Sequence, residues 1–266
     1  MVLIRGCELE YDRQGSGPDF IWGHGLTSSM DSEDQLGLFA WDEVRGANTL
    51  LRYDARGHGR SGSTEQPTDY SWHALAEDQL GLADALDIGE YVAGGASMGC
   101  ATALHAAVLA PNRVQALVLV IPPTAWATRA AQTSTYVVMA DLIEAGEHEL
   151  LLQGAAAMPP PDPFIDEPAW ANRFPEVLAN TEPVRLARVF RGAATADLPT
   201  ESQIAKISVP TLILAWTGDP GHPAGTAARL QELMPHADLA LASTMQGLAG
   251  WTGRLAAFLT SLRPDA

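Results

Sequence analysis

Basic residues are scarce in this chain. Sixteen lysines and arginines stand against 32 aspartates and glutamates, for a formal net charge of -16. Nucleic acid and anionic membrane both require basic patches, so neither is expected as a partner. Cysteine is scarcer still. Cys7 and Cys100 lie far apart, with no CxxC and no Cys/His metal spacing, which leaves neither a disulfide framework nor a metal knuckle. Two reduced, buried thiols in a cytoplasmic protein are the expectation. No apolar run approaches the roughly 18–20 residues that span a bilayer. The opening Met1-Val2-Leu3-Ile4-Arg5-Gly6 lacks the basic-then-apolar order of a signal peptide. There is no nucleotide-binding loop, no metal cluster and no lysine set for cofactor chemistry, so no cofactor is expected. Internal repeats and low-complexity tails are absent too. What remains is 266 residues, 47% hydrophobic and only 18% charged, enough for one full-sized core and an insertion.

Apolar patterning alternates between two periods. Cys7–Arg13 alternates as a strand, and Gln14-Gly15-Ser16-Gly17-Pro18 supplies a turn before a second strand at Asp19–His24. Asn48–Tyr53 is a short apolar run ending at Asp54. Ser71–Leu86 has apolar residues at helical spacing (Trp72, Leu75, Ala76, Leu80, Ala83, Leu86). Tyr91–Ala93 reads as a strand and Met98–Leu109 as a small-residue helix. Ala116–Ile121 is continuous and rich in branched residues, the mark of a strand covered on both faces. Strand and helix return at Val209–Trp216 and Ala224–Leu233, then at Asp238–Ala242 and about Leu248–Leu262. This alternation predicts an α/β class with a mostly parallel sheet wrapped on both sides. Between Thr124 and Ser208 only helical periodicity occurs, around a stiff extended connector, Met158-Pro159-Pro160-Pro161-Asp162-Pro163. A core of 1–123 and 209–266 with a helical lid at 124–208 is the expected organisation. Trp126, Trp170 and Phe174 are candidates for its pocket wall, or plain lid core.

Gly95-Ala96-Ser97-Met98-Gly99 is a G-x-S-x-G sequence lying between a predicted strand and a predicted helix. A sharp strand-to-helix turn forces its central serine into a strained backbone conformation, so the residues two positions away must lack side chains. The hydroxyl then stands at a helix N-terminus, where amides and the dipole favour developing negative charge.

With His24-Gly25-Leu26-Thr27 after a strand, and Asp54-Ala55-Arg56-Gly57-His58-Gly59-Arg60-Ser61 further on, the chain resembles the α/β-hydrolase superfamily. Within it the cofactor-free esterase, lactonase and non-haem haloperoxidase-like group is most similar. The resemblance spans essentially the whole chain. It implies an eight-stranded, mostly parallel sheet with a helical lid inserted after the sixth strand. It also implies an oxyanion hole formed by the Leu26 and Met98 amides. His24 then braces its loop, and Asp54, Arg56 and His58 belong to a structural turn. Trp216-Thr217-Gly218-Asp219-Pro220-Gly221-His222-Pro223 matches the family's acid loop, with Asp219 as the carboxylate that orients an imidazole. An aspartate capping the turn before Pro220 is the plainer alternative. The other family position for an acid, Pro122-Pro123-Thr124, offers no carboxylate.

One departure is large. The family keeps its catalytic histidine between the last strand and the last helix, and no histidine occurs from Ala237 to Ala266. Of the seven histidines, His24 and His58 have structural readings. His73 and His105 lie on outer helices, His148 lies in the lid, and His236 precedes the last strand. His222 remains, three residues after Asp219 and pinned by Pro223. Three roles are open to it: a displaced general base for Ser97, a pocket residue binding polar groups of a substrate, or a ring that bonds only its own loop.

Two functions from different classes fit these residues. One is an acyl-transfer enzyme acting on a small ester, lactone or related carbonyl compound through Ser97, with an atypical base. The other is a hydrolase-fold protein that binds a small apolar ligand without turnover.

Overall fold

The computed structural model describes residues 1–46, 48–167, 170 and 173–263. A two-stranded antiparallel hairpin comes first, β1 (Val2–Ile4) with β2 (Cys7–Leu9). The main sheet takes β3 (Tyr11–Gly15), β4 (Asp19–Gly23), β5 (Thr49–Tyr53), β6 (Tyr91–Ala96), β7 (Val114–Val120), β8 (Thr211–Trp216) and β9 (Asp238–Ala242). Its order is β3-β5-β4-β6-β7-β8-β9, and only the β3–β5 pair is antiparallel. Among the described residues it therefore has seven strands, not eight. Backbone bending at Arg5 and Gly6, both at positive φ, folds the first two strands on each other and keeps them out of the sheet.

Side chains of the parallel strands alternate between two cores. Ile21, Leu51, Ala93, Leu117, Leu119 and Ile213 face one side, where α3 (Trp72–Ala85), α4 (Met98–Leu109) and α10 (Ala224–Leu233) cover them. Phe20, Leu50, Val92, Val118, Val120 and Leu214 face the other, under α2 (Trp41–Arg45) and α12 (Trp251–Ser261). Burial on both faces explains the continuous apolar run of β7 from Ala116 onward. α1 (Met30–Leu36) lies after β4, and α11 (Met245–Ala249) precedes α12. The predicted last helix is thus two helices, with Gly250 between them.

The helical insertion comes after β7, the seventh strand in chain order rather than the sixth, because the hairpin adds strands ahead of the sheet. It holds α5 (Arg129–Glu144), α6 (His148–Ala156), α7 (Arg173–Asn180) and α8 (Pro183–Ala194), with α9 (Glu201–Ile204) at its exit. Ala140, Ile143, Leu151, Leu186, Ala187 and Phe190 form its own small core, against which Leu26, from the loop after β4, also packs. The proline-rich connector ends in a single 3₁₀ turn, Asp162–Phe164. Among the described residues no helix is long and apolar enough to cross a membrane.

Candidate active site

The sheet order reverses at β4, with β5 on one side and β6 on the other. In open α/β sheets the loops leaving such adjacent strands diverge, and ligands bind at the C-terminal edge beside them. Leu26 lies in the loop after β4, and Ser97 directly after β6.

Ser97 makes the strand-to-helix turn alone, at φ 53 and ψ -106. Such a conformation costs a residue with a side chain on the order of 1–3 kcal/mol. The flanking glycines are required by packing. A Cβ on Gly95 would lie 2.5 Å from the Gly23 carbonyl oxygen, and one on Gly99 would lie 2.0 Å from it. The end of β4 therefore passes directly over the elbow. The Ser97 amide donates to Val120 O at 2.9 Å, which ties the turn to β7.

His222 comes to this serine from 125 residues away, with Nε2 2.7 Å from Ser97 Oγ. Its Nδ1 lies 2.7 Å from Asp219 Oδ2. That same oxygen accepts the Trp216 indole N–H at 2.8 Å, while Oδ1 accepts the amides of Gly221 at 2.8 Å and His222 at 3.3 Å. Asp219 thus caps its own turn and engages the imidazole at once, and the turn aims the ring back at β6. Burial works against the ionised Asp219 carboxyl. The hydrogen bond and charge of His222, with the Trp216 and Gly221 donors, outweigh it and hold the acid down at about 2.

The Gly25 loop crosses the elbow closely enough that a Cβ on Gly25 would stand 3.6 Å from Ser97 Cβ. Thr27, at φ 60, and the Ser28 N–H to Gly25 O bond fold that loop back. The Met98 amide is the first of α4, so it has no partner within the helix. Neither it nor the Leu26 amide donates to a protein acceptor among the described residues.

The other histidines are held elsewhere. Nε2 of His24 accepts the Ala55 amide at 2.9 Å, and burial lowers its pKa. His58 sits beside it, with Nδ1 2.9 Å from Arg56 O; burial and the His24 ring push it down to about 3. Asp54 accepts the amides of Met30 and Arg60, and Arg56 is paired with Asp78, so this turn is structural. His105 bonds Asp197 O, His236 bonds Val209 O beneath β8, His73 packs beside His105, and His148 begins α6. No group of three or more metal-ligating side chains occurs among the described residues.

Of the aromatics expected in the lid, Trp170 stacks on Phe164 at 4.4 Å and meets Trp216, the indole donor to Asp219, edge-on at 5.8 Å. Trp126 donates to Pro199 O and packs on the main core, and Phe174 packs within the insertion. Asp162 was not singled out by sequence, yet its Oδ2 accepts from Thr217 Oγ1 at 2.6 Å. An aspartate between two prolines, Pro161 and Pro163, is the only local signal for that turn.

Comparison with known proteins agrees with this geometry at the level of fold. A family described as alpha/beta hydrolase fold matches residues 24–244. The chain is 31% identical over 175 residues to 3-oxoadipate enol-lactonase 1 of Acinetobacter baylyi, covering 64% of this chain and 61% of that protein. It is 25% identical to enol-lactonase 2 of the same organism, over 85% of this chain and 80% of the other. The enol-lactonase structure from Burkholderia xenovorans LB400 superposes with a TM-score of 0.80 at 22% identity, over 97% of this chain and 99% of that one.

Proposed function

Because the chain belongs to the α/β-hydrolase-fold family, we propose that it is a serine hydrolase acting on a small ester, lactone or related carbonyl compound, with Ser97, His222 and Asp219 as its triad. The observation that carries this reading is the 2.7 Å approach of His222 Nε2 to Ser97 Oγ, backed by the 2.7 Å approach of Nδ1 to Asp219. These are distances at which a base takes a hydroxyl proton. The enol-lactonase names of the relatives support a lactone or ester as the substrate class.

In the first step Ser97 Oγ attacks the substrate carbonyl carbon and its proton passes to His222 Nε2. The carbonyl oxygen becomes an oxyanion that accepts from the Leu26 and Met98 amides. Such a donor pair is worth about 10²–10³ in rate per donor. Asp219 keeps the Nδ1 proton in place and stabilises the imidazolium without taking the proton. The tetrahedral intermediate collapses, His222 returns the proton to the leaving oxygen, and an acyl-Ser97 ester remains. Water, deprotonated by His222, then attacks that ester and releases the acid and free Ser97. No cofactor enters these steps. Residues 124–208 act in this reading as a lid on a core of 1–123 and 209–266; residues 47, 168, 169, 171, 172 and 264–266 of these ranges lie outside the described residues.

A fluorophosphonate probe tests the reading. It should label the protein at Ser97, and both Ser97→Ala and His222→Ala should abolish labelling and p-nitrophenyl acetate hydrolysis while circular dichroism stays unchanged. Absence of labelling in the unaltered protein, with hydrolysis indifferent to Ser97→Ala, would leave a ligand-binding protein without turnover.

A further inference from the structure

The acid and the base share one loop, residues 217–223 between β8 and α10, so whatever holds that loop holds both. The sheet reaches it through the Thr217 N–H to Ala242 O bond of 3.1 Å. Residues of the helical insertion and its entry reach it from two further sides. Asp162 Oδ2 accepts from Thr217 Oγ1 at 2.6 Å, and the Asp162 N–H donates to Thr217 O at 2.9 Å. The contact is close: a Cβ on Gly218, itself at φ +78, would stand 2.1 Å from Asp162 Oδ1. On the other side, the Thr124 N–H donates to Gly221 O at 3.0 Å. Thr124 Oγ1 is held by Arg129, which also donates to Ala193 O and Ala196 O around the end of α8.

From this arrangement we infer that Asp162 is a positioning residue. By anchoring Thr217 it fixes the direction in which the Asp219–His222 pair faces Ser97, and it couples the seating of the insertion to the alignment of the base. The inference rests on the triad reading above. Its physical basis is the short reach from Nε2 to Oγ: a loop displaced by about 1 Å loses that bond, and misplacement on this scale costs up to about 100-fold in rate. Asp162 itself is exposed, so its charge is screened at the imidazole and the hydrogen bond to Thr217 is the operative contact.

The test compares Asp162→Ala, Asp162→Asn and Thr217→Val in the full chain, using p-nitrophenyl acetate turnover and the rate of fluorophosphonate labelling. Asp162→Ala and Thr217→Val should lower kcat and the labelling rate between about 10- and 100-fold, with KM within about two-fold. Asp162→Asn should retain most of both, because its amide oxygen still accepts from Thr217 Oγ1. Unchanged kcat in Asp162→Ala overturns the inference. An Asp162→Asn variant as impaired as Asp162→Ala does so as well, since charge and not anchoring would then be at work. If Asp162→Ala does not fold, Thr217→Val, which replaces the hydroxyl with a methyl of similar size, decides alone. Labelling that survives in His222→Ala removes the triad reading itself, an outcome distinct from normal rates in the Asp162 variants.

Discussion

Asp219→Asn is the substitution that asks most of the site. In the unaltered chain Oδ2 lies between two donors, His222 Nδ1 at 2.7 Å and the Trp216 indole at 2.8 Å, while Oδ1 accepts two amides. An asparagine keeps an oxygen for the amides and so turns its NH2 toward the imidazole and the indole. Two N–H donors then face a third group that no longer accepts. The imidazole relieves this by moving its proton to Nε2, and Nε2–H cannot take a proton from Ser97. The wrong tautomer costs about 10⁴-fold in kcat in serine triads. The indole left without an acceptor costs about 1–3 kcal/mol of stability. A second consequence stems from the acid's depression to about 2 from an ordinary value of 3.8. A lowered acid contributes stability that is whole above 3.8 and is lost as pH falls toward 2, about 2 kcal/mol across the window. Steady-state turnover of p-nitrophenyl acetate at pH 7 and urea unfolding at pH 2–6 measure both effects. The variant should lose the rate and the acid-side slope together. A loss below about ten-fold in a folded variant would refute the role given to Asp219.

Features away from the triad lead to other outcomes. Gly99→Ala places a methyl 2.0 Å from Gly23 O and should cost about 3 kcal/mol or more in urea unfolding; a wild-type midpoint would contradict the contact between β4 and the elbow. Asp78→Ala strips the buried Arg56 of a two-bonded partner, with distances of 2.8 and 2.7 Å, and should lower stability by about 3–5 kcal/mol. Glu33 is largely covered beside Trp22, and desolvation, opposed by Arg52 and the indole, raises its pKa to about 7. A raised acid favours the native state at low pH, so its contribution declines as pH rises from 4.5 to about 7. Glu33→Gln should therefore gain stability relative to the parent above pH 7, on the order of 3 kcal/mol at most, and thermal unfolding at pH 5 and 8 should show that gap widening.

Periodicity carried most of the sheet. β7 is visible from Ala116 onward as an apolar run because both its faces are covered there, whereas β9, at the sheet edge with Leu241 exposed, shows only as a short apolar stretch. The elbow was legible because a glycine two positions from the serine on each side is the only solution where β4 crosses it. The pairing of His222 with Ser97 was not legible. It depends on β8 lying two strands from β6 and on a turn stabilised by bonds from the Gly221 and His222 amides to Asp219, none of which leaves a periodic trace. Asp162 was hidden for the same reason, since a proline-flanked aspartate reads as connector until the surface it docks on is known. The strand expected over Cys7–Arg13 is two strands broken at Glu10: Cys7–Leu9 pairs back onto Val2–Ile4 across the turn at Arg5 and Gly6, while Tyr11–Gly15 pairs with β5 in the main sheet.

In the proposed triad, acid and base share one loop, which decides how the chain can be divided. Ser97, Asp219 and His222 all precede Ser243, and the two helices beyond it, α11 and α12, supply apolar cover through Leu248, Trp251, Leu255 and Leu259, with Thr252 Oγ1 accepting the Ala40 amide at 3.1 Å. A cut between Ser243 and Thr244 separates cover from chemistry. The longer piece retains every group of the proposed triad and the shorter retains none, so recovered turnover would report reassembly of the sheet face alone. In a hydrolase whose base lies beyond the last strand, the same cut would remove part of the reaction along with the cover.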